Sequence, residues 1–76
     1  MPMEIDDLVL LANRIQQVHR RPAQFSEQGA KKLAEQGLAM IKRRKKHGWY
    51  NVKLTALGKT HAMKCYLEGK VPPYEP

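Results

Sequence analysis

The 76-residue chain contains one cysteine, Cys65, so it cannot bridge itself, and the disulfide scaffold typical of small secreted domains is excluded. A lone thiol suits a reducing compartment, and a cytoplasmic location is expected. Long apolar runs are also missing: nothing approaches the ~20 residues that a membrane span requires. The opening Met1-Pro2-Met3-Glu4, with Asp6 and Asp7 close behind, carries the wrong charge for a secretory leader. A soluble protein with no membrane contact is the expectation.

Catalytic furniture is absent as well. There is no glycine-rich phosphate loop, and no nucleophile is accompanied by a base and an orienting acid, so no catalytic residue, no cofactor and no enzymatic activity are expected. His61 and Cys65 stand one helical turn apart and have the chemistry to hold zinc, but a site needs three or four ligands and the sequence shows no third. No metal site is expected on that basis. A chain this short buries only about 60% of the surface it exposes when unfolded. Stability of about 3–5 kcal/mol follows, and burial against a partner or a second copy stays open as a supplement.

Acids are scarce, seven Asp and Glu against fourteen Lys and Arg, for a net charge of +7. Their placement matters more than their number. Residues 36–67 hold eight Lys and Arg and no acid at all, whereas acids gather near the N-terminus. Such asymmetry gives the molecule a positive side that attracts polyanions, either nucleic acid or an acidic patch on another protein.

Hydrophobic periodicity organises the rest. Ile5, Leu8, Leu11, Ala12, Ile15 and Val18 recur at three- and four-residue spacing and predict an amphipathic helix over Ile5–Val18, with Asp6 and Asp7 at its positive end and Pro22 beyond its stop. Leu10 falls on the opposite face of that wheel and is expected to meet a partner. Ser26 is placed to cap a second helix, Phe25 to staple onto Ala30, and Gly37 to end it in a left-handed cap with Leu33 against Leu38. From residue 40 to 54 an apolar start runs into Lys42-Arg43-Arg44-Lys45-Lys46, turns at His47-Gly48 and returns with Tyr50, Val52 and Leu54 alternating against Trp49, Asn51 and Lys53. That pattern predicts a β-hairpin with a basic tip. Thr55 is placed to cap a last helix reaching about Leu67, with Ala56, Met63, Tyr66 and Leu67 on one face. The expected fold is therefore α+β and mostly helical, in the order helix, helix, basic hairpin, helix: one domain over residues 1–70 with an extended tail over 71–76.

The middle of the chain, Leu33-Ala34-Glu35-Gln36-Gly37-Leu38, then Met40-Ile41-Lys42-Arg43-Arg44, then Tyr50-Asn51-Val52-Lys53-Leu54-Thr55-Ala56-Leu57-Gly58-Lys59, resembles the wing of winged helix-turn-helix regulators of the MarR and PadR kind. In those families a helix ends on a Gly-Leu step, a strand leads to a charged wing turn, and the return strand closes on Leu-Thr-x-x-Gly. The resemblance spans residues 33–68 and implies a winged-helix-like domain that binds DNA. One departure is plain: the families place two helices and a turn before the wing, whereas only residues 25–36 are available here.

Independently of that resemblance, a turn bearing five consecutive cations can follow a phosphate backbone and release condensed counterions. Arg43, Arg44, Lys45 and Lys46 are the expected phosphate contacts, flanked by Lys42 and Lys53; Lys31 and Lys32 would reach phosphate or base edges from the second helix, and Trp49 would pack on sugar or an unpaired base. The same run of charge also describes an ordinary solvated face, and Trp49 could equally cover a small core. DNA is the first expected partner, for a transcription regulator or accessory factor of the sort a phage or plasmid encodes. An acidic host protein bound by an inhibitor or adaptor is the alternative, RNA or the ribosome is the third, and a homodimer stays open.

Overall fold

A computed structural model describes residues 3–44 and 48–74. The elements run α1 (Ile5–Val18), β1 (Ala23–Ser26), α2 (Glu27–Glu35), β2 (Ala39–Arg44), β3 (Trp49–Leu54) and α3 (Ala56–Leu67). The fold is α+β, with three helices and one antiparallel sheet in the order β1-β3-β2. The expected order helix, helix, hairpin, helix is thus corrected by one strand. β1 was hidden in the approach to α2 because it is four residues long, too short for its alternation of buried Ala23 and Phe25 with exposed Gln24 and Ser26 to stand out.

The return strand β3 lies in the centre, pairing Ala23 with Val52 and Phe25 with Tyr50 on one side, and Ala39 with Leu54 on the other. Directly opposed residues share a face. One face of the sheet is therefore apolar, and α1 and α2 cover it, so that Leu8, Leu11, Ile15, Phe25, Leu33, Leu38, Val52 and Leu54 form a single core. The other face carries Gln24, Ser26, Met40, Trp49 and Lys53, all exposed. In β2 the pairing slips between Ile41 and Arg43, leaving Lys42 as the extra residue of a β-bulge.

α2 ends as its sequence requires. Gly37 takes φ +71°, a left-handed conformation that costs a residue with a Cβ about 1–2 kcal/mol. With Gly37 there, its N–H donates to Ala34 O and the Leu38 N–H donates to Leu33 O, each at 3.0 Å, closing the helix while Leu33 and Leu38 pack in the core. The next connection locks onto this cap. The Thr55 hydroxyl donates to Gly37 O at 2.7 Å and accepts the Gly58 N–H at 3.1 Å, and the Thr55 N–H donates to Leu38 O at 3.0 Å. Gly58 sits so close over Leu38 that a Cβ there would lie 2.0 Å from the Leu38 carbonyl oxygen. The Leu-Thr-x-x-Gly sequence is thereby a clasp between the end of β3, the start of α3 and the cap of α2.

Two expectations about packing are overturned. Leu10 is fully buried rather than offered to a partner. α1 is covered on two sides: Asp6 and Asn13, which share a stripe with Leu10 at four- and three-residue spacing, both reach residues of α3 or just beyond it. On α3 the packed face is Gly58, Ala62 and Cys65, whereas Ala56, Met63, Tyr66 and Leu67 are exposed. Apolar residues occur on all sides of this helix, so periodicity cannot select a face; the close approach of Gly58 and Ala62 selects it instead. Val18, at the end of α1, is also exposed.

Candidate nucleic-acid interface

The pairing of Ser26 with Trp49 brings the tip-proximal end of β3 beside the start of α2. Consequently Trp49, half exposed, and Lys31, one helical turn into α2, line the same groove, together with Gln24, Gln28 and Arg21. Lys31 lies 2.8 Å from Glu27 in an exposed i,i+4 pair. That neighbour raises the Lys31 pKa, and as a surface pair it contributes little to stability. Lys32 also borders the groove, but its Nζ donates to the Met3 carbonyl at 3.4 Å, tying α2 to the chain just before α1. Of the two lysines expected to enter a groove of DNA, one is thus shared with an acid and the other with backbone.

On the hairpin, Lys42 in the bulge and Lys53 opposite Met40 are exposed and do not line that groove. Arg43 and Arg44 belong to β2, opposite Asn51 and Tyr50. Lys45 and Lys46 lie outside the described residues. The structure therefore assembles the expected residues in two groups, Lys31, Lys32 and Trp49 around the α2 groove, and Lys42, Arg43, Arg44 and Lys53 along the hairpin.

Sequence reasoning missed a polar cluster. Asp6 in the first turn of α1 has His61 Nε2 2.7 Å from its Oδ1, while the Lys70 ammonium donates to its Oδ2, with Glu68 3.9 Å from Lys70. The buried Cys65 thiol stands beside them. The hydrogen bond from Lys70 and then that of His61 hold the Asp6 carboxyl below the ordinary carboxylate range. A carboxyl whose pKa is lowered in the folded state adds stability above its ordinary value, and this contribution is lost as pH falls through the lowered one. In the presence of a chelator, urea unfolding from about pH 5 to about pH 2 should accordingly show a steeper loss of stability for the wild type than for Asp6→Asn. Parallel acid limbs would mean that the Asp6 contacts contribute nothing to folding. The residues of this cluster are 55 and 64 positions apart, a separation that no local pattern signals.

By architecture the molecule is a small three-helix, three-strand α+β protein with a basic hairpin. Set against known proteins, the chain matches no family model, no curated protein and no solved structure.

Proposed function

We propose that the protein is a nucleic-acid-binding module of winged-helix-like kind that engages the phosphate backbone of duplex DNA through the β2–β3 hairpin. The observation that carries this reading is the concentration of charge: the hairpin bears six Lys and Arg between residues 42 and 53, and no acid occurs from residue 36 to 67 to neutralise them. Support also comes from the sheet order, in which the edge strand β2 and the central strand β3 form a hairpin after α2, and from the clasp at Thr55 and Gly58 that fixes the root of that hairpin. The protein contributes this as a binder and not as a catalyst.

Sequence specificity is expected to be low. A single helix lies between β1 and the hairpin among the described residues. That helix, α2, carries Glu27 and Glu35 against Lys31 and Lys32, and both lysines are engaged within the protein. Base readout needs free donors aimed at groove edges, whereas phosphate binding needs only charge. Trp49 adds a stacking surface for an unpaired base, worth about 1–3 kcal/mol where one is available.

The test is fluorescence anisotropy with two unrelated labelled duplexes, a single strand and an RNA hairpin at three salt concentrations. Binding with a Kd near the micromolar range at about 50 mM salt, equal for the two duplexes and falling with a log–log slope no steeper than about −5, is the expected result, since each of six phosphate contacts contributes about 0.9 to the slope. Absence of duplex binding at that salt refutes the proposal. Preference for the RNA or the single strand would transfer the function to those ligands through Trp49.

A second reading is favoured by one feature, the exposed Leu57, Met63 and Leu67 on the outer side of α3. Exposed apolar side chains on a helix that also carries Lys59 and Lys64 suit a protein partner with an acidic rim. A stoichiometric partner that survives nuclease treatment in a pulldown would support this reading, and loss of all partners on nuclease treatment would remove it.

A further inference from the structure

We propose that Asp6, His61 and Cys65 form a binding site for one divalent metal ion of borderline softness, zinc foremost, held between α1 and α3 with a fourth position open to water. The three donors converge from two elements: His61 and Cys65 are four residues apart on one face of α3, and Asp6 comes from the first turn of α1. Their ligand atoms all lie within 4.8 Å of one another. Tetrahedral zinc, with bonds of about 2.0–2.3 Å, sets donor separations of about 3.3–3.6 Å. Reaching that geometry requires the 2.7 Å separation between His61 and Asp6 to open by less than about 1 Å, and a separation as wide as 4.8 Å to close by about 1.2–1.5 Å.

The environment suits such an ion. Cys65 is 2% exposed, so the sulfur end is closed, while the side chains of His61 and Asp6 are 29% and 31% exposed, which gives the ion its entrance and a water its place. A thiolate, an imidazole and a carboxylate together favour zinc over the hard, oxygen-seeking magnesium and calcium. Carboxylate and thiolate neutralise the two charges of the ion, which leaves nearby Lys70 without a net repulsion to overcome. Lys70 already holds Oδ2 of Asp6 and leaves Oδ1 toward His61, the role an outer partner plays in orienting a ligating carboxylate. Burial raises the Cys65 pKa, so the ion must displace the thiol proton, and affinity falls as the solution is acidified.

The experiment is a titration of the reduced, full-length protein with Co2+ near neutral pH, followed by competition with Zn2+. The expected result is one Co2+ per chain, with thiolate-to-cobalt charge transfer in the near ultraviolet and the intense visible bands of a four-coordinate ion, both erased by one equivalent of Zn2+. Cys65→Ala should lose the charge-transfer band, and His61→Gln, at a partly exposed position that leaves the core untouched, should weaken binding at least about tenfold. Circular dichroism establishes that each variant is folded; if Cys65→Ala is not, His61→Gln decides. Cobalt spectra without a sulfur band, binding unaffected by His61→Gln, or half an ion per chain would each overturn the site, the last by showing that the ligands come from two copies. The nucleic-acid reading stands or falls separately, since none of these residues lies on the hairpin.

Discussion

Gly58→Ala is expected to leave most of the protein unfolded at room temperature. The added methyl would sit 2.0 Å from the carbonyl oxygen of Leu38, and 3.0 Å from both the carbonyl carbon of that residue and a methyl of Leu54. A flexible side chain could swing away, but a carbonyl already bonded to the Thr55 N–H cannot move without breaking the clasp that also joins Thr55 to Gly37. Overpacking a core ordinarily costs about 1–3 kcal/mol and more where the surroundings cannot relax. Here the obstacle is backbone, so the cost belongs at the upper end or beyond, comparable with the whole stability of about 3–5 kcal/mol available to a domain of this size. Lys59→Ala, one residue further along and exposed, should change stability by no more than about 0.5 kcal/mol. Thermal and urea melts of the two variants decide it. A Gly58→Ala protein melting within a few degrees of the wild type would mean that α3 slides on the α2 cap without penalty.

The second large effect is on binding. Substituting Arg43, Arg44, Lys45 and Lys46 together by alanine should flatten the salt dependence by up to about four units and cost up to about one decade of affinity per lost phosphate contact at 50 mM salt. The loss should be equal for unrelated duplexes, because phosphate contacts carry no sequence information. Circular dichroism of the fourfold variant establishes that it is folded before its binding is read. Trp49→Ala, by contrast, should spare duplex binding and weaken single-stranded binding, if the groove it shares with Lys31 takes an unstacked base. An unchanged slope in the fourfold variant would remove the hairpin tip from the interface and leave the α2 groove as the binding surface.

Much of this architecture is written locally in the chain. α1 shows four turns of apolar spacing bounded by acids and a proline, β3 shows clean alternation, and Gly37 and Thr55 mark the caps where the structure places them. Other features depend on contacts that local patterns do not record. Leu10 reads as outward-facing only if a helix is buried on one side, and α1 is buried on two. The packed face of α3 is chosen by what Gly58 and Ala62 lack, a criterion that hydrophobicity counts against them. Trp49 and Lys31 line one groove only because β1 exists and pairs with β3, and Asp6 meets His61 and Lys70 only once the two ends of the fold are brought together.

The bulge at Lys42 has a bearing on life at high concentration. β2 is an edge strand, and a flat edge with free N–H and C=O groups is a template on which a second copy can add a strand, the first step toward aggregation. An extra residue breaks the regular spacing that such a newcomer must match, and that residue is a lysine, which any approaching strand would have to desolvate. The opposite edge, β1, is four residues long and follows directly on Pro22, which has no N–H to offer. Both rims of the sheet thus resist the addition of a strand from a second copy.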